Sequence, residues 1–185
     1  MDDIAQLETN RLILRQWQAQ DYAHFAKINN DPLVMEYYPS ILTELESNAL
    51  AKRIEDLIST HGWGFWALEL KENNQFIGFI GLNRPVYELP TNPCIEIGWR
   101  LAKNYWRNGY ATEAANAALK YAFEILQLTE VVSFASVNNI KSIAVMKRLH
   151  MLNTLQNFDH PDLALVDHLR EHVLYKITKT QWNNI

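Results

Sequence analysis

Two hydrophobic periods alternate along the chain. "RLILRQW" (11–17) reads as a first strand, and Asp21, Phe25 and Ile28 then recur at i, i+4, i+7, predicting a helix over 20–30. "DPLVMEYYPS" is an aromatic-rich loop bounded by two prolines. Thr43, with Glu46 three residues on, has the pattern of a capping box, and Leu50, Ile54 and Leu57 make the helix 43–59 amphipathic. Strand-like runs at 63–70 and 75–83 flank "KENN", whose turn residues predict a hairpin. In "CIEIGWRL" (94–101), Ile95, Ile97, Trp99 and Leu101 share one face, and Cys94, Glu96, Gly98 and Arg100 the other.

A helix follows over 109–126, with Ala111, Ala115, Ala118, Ala122 and Leu126 along one stripe. After it come a strand at 131–137, a helix at 140–149 behind Asn139, and closing strands at 151–158 and 172–179. The order is β, α, α, three antiparallel-looking strands, α, β, α, β, β. A strand–helix–strand crossover inside an otherwise antiparallel sheet predicts a mixed α/β, three-layer domain.

Composition narrows the function classes. At 185 residues, 48% apolar and 21% charged, the chain suits one globular domain. A net charge of −4 argues against a broad basic surface and so against nucleic acid as the main partner. No apolar run reaches the ~18 residues of a membrane span. The opening "MDDIAQLETN" is acidic without an apolar core, unlike a signal peptide, so a cytoplasmic location is expected. Cys94 is the single cysteine, which excludes a disulfide framework and a cysteine-based metal cluster.

The candidate chemistry begins at "WRNGYAT" (106–112), just ahead of the alanine-rich helix. A helix N-terminus presents unpaired N–H groups and partial positive charge, so it can hold an anion. Gly109 would let a phosphate approach the backbone, with small Ala111 behind, Thr112 adding a hydroxyl and Arg107 a cation. The alternative is that Gly109 serves only the turn. The segment is neither G-x-x-x-x-G-K-[ST] nor G-x-G-x-x-G, which counts against nucleoside triphosphates and dinucleotides.

"EIGWRLAKNYWRNGYATEA", followed after a helix and a strand by "NNIKSIAVMKRL", resembles the GNAT superfamily of acetyl-CoA-dependent N-acetyltransferases. The opening "LETNRLILRQW" is similar to the RimJ/RimL-like branch, and the likeness spans residues ~7–180. It implies a mostly antiparallel sheet of about seven strands with about four helices and one splayed strand pair. It also implies that Arg107, Asn108, Gly109, Tyr110, Ala111 and Thr112 wrap the pyrophosphate of coenzyme A. Backbone groups of Trp99, Arg100 and Leu101 would pair with the pantetheine arm, and Asn139 would bond its amide, with Ser142 nearby. Asn139 is equally a natural N-cap. Members of this branch often carry glycine where Arg107 stands, and read "LGF" where this chain reads Leu149-His150-Met151.

The implied activity is direct acetyl transfer to a primary amine: a protein N-terminus, possibly ribosomal, or a small molecule. Glu96 is the candidate base, with a Glu96–Arg100 pair as the alternative. The tyrosine that many relatives place seven residues after the motif asparagine is Met146 here; Ser142 is the candidate donor to the thiolate, with Tyr105 as a substitute and catalysis by positioning alone as the alternatives. Tyr37, Tyr38, Trp63 and Trp66 are candidate walls of an acceptor pocket, with core packing the default for strand tryptophans. Asp159 and His160 in "NFDHPDLALVDHLREHVLYKI" are candidate acceptor contacts or an alternative base, with a plain solvated loop as the default reading. Its histidines fit no zinc spacing, so no metal is expected. A non-catalytic acyl-CoA-binding module and a nucleotide or phosphate-ester site are the competing classes. Either a monomer or a homodimer is compatible with the sequence.

Overall fold

The structure, a computed structural model, describes residues 4–86, 89–163 and 167–185. The chain forms two compact units, Met1–Leu82 with Gly98–Ala118, and Asn83–Ile97 with Leu119–Ile185. Among the described residues there are nine strands, mostly antiparallel, and six α-helices. The surplus over the expected counts comes from short pieces. β1 (Leu7–Glu8), β7 (Leu152–Asn153) and β8 (Phe158–Asp159) have two residues each, and α5 (Asp167–Arg170) and α6 (Lys179–Trp182) four each.

In the first unit, β2 (Leu12–Arg15) pairs antiparallel with β1 and with β3 (Phe65–Leu70), and β3 with β4 (Gln75–Asn83). Leu12, Leu14, Trp66, Leu68, Ile77 and Ile80 are fully buried. Trp17 meets Phe25 of α1 (Ala19–Asn29) edge-on at 4.9 Å and Phe76 at 5.4 Å. Asp21, on the predicted helical stripe, is buried because Arg15 holds it bidentately at 2.7 and 2.9 Å while also bonding Glu69 at 2.7 Å. Removing one carboxylate from such a network leaves a buried charge short of a partner.

α2 (Glu44–His61) starts on the predicted Thr43–Glu46 capping box and ends at Gly62, whose φ of 77° closes the helix left-handed. Its buried stripe is Ser47, Ala51, Ile54 and Ile58, while Leu57 is exposed, a rotation from the expected Leu50, Ile54, Leu57. No helix of the described residues is long and apolar enough to cross a membrane.

In the second unit, β6 (Glu130–Ser136) pairs antiparallel along its whole length with β9 (Glu171–Thr178), which also pairs with β7 and β8. The predicted strand 151–158 is therefore two short contacts, interrupted at Leu155, where φ is 59°. α3 (Tyr110–Lys120) passes from one unit into the other and gives way to a π-turn, Tyr121–Ile125, where Leu126 N–H reaches back to Tyr121 C=O at 3.0 Å. The wider turn ends the alanine stripe: Ala115, Ala118 and Ala122 are buried, whereas Leu126 is only half-buried.

α4 (Ile140–Arg148) ends on His150, at φ 58°. His150 N–H donates to Lys147 C=O at 3.0 Å and Met151 N–H to Met146 C=O at 3.1 Å, the bond pair of a Schellman motif. His150 thus adopts the left-handed conformation to which glycine is best suited.

Candidate active site

β5 (Glu96–Leu101) carries the groups expected to act. Glu96 and Arg100, read from alternation as the polar face, are each only 8% exposed. Ile97 and Leu101 are buried too, so alternation here separates two covered faces rather than core from solvent. The Glu96–Arg100 pair does not form. Asn83 Nδ2 donates to Glu96 Oε1 at 2.7 Å, and Arg100 Nη1 donates to Asn29 Oδ1 at 2.6 Å. Burial, partly offset by the bond from Asn83, pushes the Glu96 carboxyl up to about 7.

β5 runs parallel to β6 with a single register pair, Glu96 opposite Val132, as a splayed pair leaves. Val132 N–H donates to Ile95 C=O at 3.0 Å and Ser133 Oγ to Ile97 C=O at 2.9 Å. Further along, Trp99 is half-buried, and the Leu101 carbonyl accepts from the Trp106 indole at 2.9 Å. Gly78 of β4 has φ 143°, and a Cβ there would stand 2.1 Å from the Arg100 carbonyl oxygen, so only glycine lets the two strands pass.

After a 3₁₀ turn at Lys103–Tyr105, the chain enters the predicted anion loop. Arg107 (φ 63°) and Gly109 (φ 81°) are both left-handed, with exposed Asn108 between them bonding Trp106 C=O at 3.2 Å. The first backbone i→i−4 bond runs from Glu113 N–H to Gly109 C=O at 3.0 Å, so the N–H groups of Tyr110, Ala111 and Thr112 precede the helical ladder. Uncommitted donors beside an exposed glycine and an arginine fit a diphosphate.

One feature of this loop was missed from sequence. Glu113, in the first turn of α3, accepts from Thr9 Oγ at 2.6 Å, Arg11 N–H at 3.0 Å and Arg11 Nε at 2.7 Å. Against the upward push of burial, these bonds hold its carboxyl below the usual range. The Arg11 guanidinium stacks on Tyr110 at 4.5 Å, and a Cβ on Gly109 would lie 3.5 Å from its Nη2. A second cation therefore stands beside the loop, joined to it by contacts about a hundred residues apart in sequence, which local patterns do not register.

In the second unit, Asn139 caps α4, its Oδ1 accepting from Ser142 N–H at 3.1 Å. Among the described residues neither Asn139 Nδ2 nor Ser142 Oγ has a partner, so the cap leaves the amide donor and the hydroxyl available. Met146 is fully buried and serves the core.

The acceptor candidates separate. Tyr37 is half-buried, its hydroxyl pushed up by burial and by Glu36, and Tyr38 lies on the Arg100 guanidinium at 4.0 Å. Trp66 is fully buried with its indole donating to Ala5 C=O at 2.8 Å, which makes it a packing residue rather than a pocket wall. Asp159 sits in β8 and pairs with Arg170 Nε at 3.4 Å. His160 is buried, its ring 5.0 Å from that of His172 and close to Phe134 and Phe158, where a solvated loop was expected. Part of that stretch, residues 164–166, lies outside the described residues. Among the described residues no three His, Cys, Asp or Glu side chains gather as metal ligands would.

Residues 11–152 match the acetyltransferase (GNAT) domain family, and the chain belongs to it. It is 30% identical over 164 residues to the uncharacterised protein YkkB of Bacillus subtilis (strain 168), covering 87% of this chain and 94% of that one. It is 26% identical over 178 residues to the uncharacterised N-acetyltransferase YnaD of the same organism, covering 96% and 99%. The solved acetyltransferase (GNAT family) from Bacillus anthracis superposes with a TM-score of 0.79 over 95% of this chain and 99% of that one, at 22% identity, a likeness of fold. The chain is an acetyltransferase, and its family uses acetyl-CoA as co-substrate.

Proposed function

We propose that this chain acetylates the α-amine of a polypeptide N-terminus or small molecule, with Glu96 as the general base. The observation that carries the proposal is the buried Glu96 carboxyl, bonded by neutral Asn83 and pushed up to about 7. A base is most effective when its pKa lies near the working pH. Against an α-ammonium near 7.7–8.0, proton transfer to Glu96 is uphill by about one unit, roughly 1.4 kcal/mol. Against a lysine ammonium near 10.4 it is uphill by about 3.4 units, on the order of 4.6 kcal/mol, so the site favours α-amines. The likeness of the opening and the β5–α3 segment to RimJ/RimL-like enzymes supports an N-terminal acceptor.

Acetyl-CoA supplies the reactive thioester when bound. In the first unit the Arg107–Thr112 amides and the Arg107 side chain suit its pyrophosphate and backbone groups of Trp99 and Arg100 its arm; in the second unit Asn139 offers an Nδ2 without a partner among the described residues. Ser142 Oγ is the hydrogen-bond donor proposed for the departing sulfur, at a helix N-terminus that favours negative charge.

The test is acetyl-CoA binding by calorimetry with ATP and NAD as controls, followed by thiol release with peptides bearing either a free N-terminus or a free lysine. Micromolar acetyl-CoA binding and release favouring the α-amine by tenfold or more is expected. Binding without release for any amine would leave an acyl-CoA-binding module instead.

A further inference from the structure

Two arginines are buried in the first unit, and they are treated differently. Arg15 is 7% exposed and holds two carboxylates, Asp21 and Glu69. Arg100 is 8% exposed and, among the described residues, has no carboxylate partner. Its one hydrogen bond goes from Nη1 to the neutral amide oxygen of Asn29, which is itself fully buried and fixed by its own bond to Ser47 Oγ at 2.8 Å. The ring of Tyr38 covers the guanidinium face at 4.0 Å, with Phe79 and Phe25 at 5.5 and 5.9 Å. Aromatic faces ease the burial of a cation but leave its N–H donors unanswered.

The donors left over form a set. Nε is buried without a partner, and Nη2 makes no hydrogen bond to a described residue. These two share the edge of the guanidinium fork that grips a carboxylate through two parallel bonds. Asn29 holds Nη1 on the other side, and the guanidinium carbon lies over the ring of half-buried Tyr38. A single preorganised cation matches one negative charge.

We propose that Arg100 is a specificity residue that takes a carboxylate carried by the acceptor amine. Arg100 follows Glu96 by four residues in the sequence of β5. The acceptor carboxylate it takes lies several bonds from the reacting nitrogen. This inference rests on the acetyl-transfer reading for the identity of the ligand as acceptor; the anion site itself rests on the geometry of Arg100.

The experiment compares dipeptide acceptors that differ only in that group: Ala-Glu amide against Ala-Gln amide, and Ala-Ala against Ala-Ala amide. The two pairs separate a side-chain carboxylate from a C-terminal one while barely altering the reacting amine. The acid member of at least one pair is expected to have a kcat/KM at least tenfold above its amide. Arg100→Met brings that ratio near one, and Arg100→Lys restores part of it. The ratio cancels any loss common to both acceptors, and the wild-type ratio decides if Arg100→Met does not fold.

A second readout needs no turnover. Succinate raises the wild-type Tm and succinamide does not, and Arg100→Met removes the succinate effect. If no amine releases thiol, the acetyl-transfer reading fails and the succinate arm still judges the anion site. Wild-type ratios near one for both pairs, a preference that survives Arg100→Met, or equal Tm shifts from succinate and succinamide would overturn the proposal, leaving Arg100 as a packing residue beneath Tyr38.

Discussion

Asn83 and Glu96 form a two-residue unit: the side-chain amide at the end of β4 donates to the carboxylate at the start of β5 at 2.7 Å. The bond lowers the Glu96 pKa, while burial raises it by more. Removing the donor removes the lowering contribution. Asn83→Ala should therefore move the acid limb of the kcat/KM profile above pH 7, with activity lost near neutrality and largely recovered at higher pH. An unmoved limb would mean that the titrating group is not Glu96.

Glu96 also sets the direction of a stability effect. Its folded pKa of about 7 lies above the unfolded carboxyl value, so its burial is harmless below about pH 4.5 and costs progressively more as pH rises through 7. Glu96→Gln should match wild type near pH 4.5 and exceed it at pH 8, with an upper bound on the order of 3 kcal/mol. Chemical denaturation at both pH values checks this; equal stabilities at pH 8 would show that the carboxyl is not strained by burial.

His172 has the opposite sign. Burial lowers its pKa to about 4, with His160 adding to the push and the Arg170 carbonyl opposing it. The unfolded imidazole binds a proton near 6.5, so stability is complete above that pH and falls as pH drops toward 4. His172→Phe should flatten this slope between pH 6.5 and 4, as followed by denaturant midpoints. A slope that persists would move the effect to another group.

His150 closes α4 at φ 58°, a conformation that costs a non-glycine residue about 1–2 kcal/mol, less what glycine's own flexibility would return. His150→Gly should stabilise by ~0.5–1 kcal/mol, and His150→Val should destabilise, both read from denaturant midpoints. A destabilised glycine variant would imply that the exposed imidazole makes a compensating contribution.

These residues also mark where sequence patterns were informative. Thr43–Glu46, the hairpin across "KENN" and the Gly109 loop were legible because capping, turns and helix starts are chemistry between near neighbours. Arg107 and His150 were visible as departures from glycine, and both occupy the left-handed region. That both faces of β5 are covered was not legible, because alternation cannot distinguish a second buried side from solvent. Asn83, Arg11 and Asn29 escaped notice because each meets its partner through tertiary contact: Asn83 with Glu96, Arg11 with Glu113, Asn29 with Arg100. The π-turn at Tyr121–Ile125 has no motif that periodicity resolves.

The most direct measurement is the pH dependence of kcat/KM for acetyl transfer to an N-terminal peptide by wild type and Glu96→Gln, with acetyl-CoA affinity measured on both. Wild type should rise with pH through about 7, and the variant should lose that limb and at least a hundredfold in rate while binding acetyl-CoA as tightly. Comparable turnover by the two proteins across the pH range would contradict the account and remove Glu96 from the chemistry.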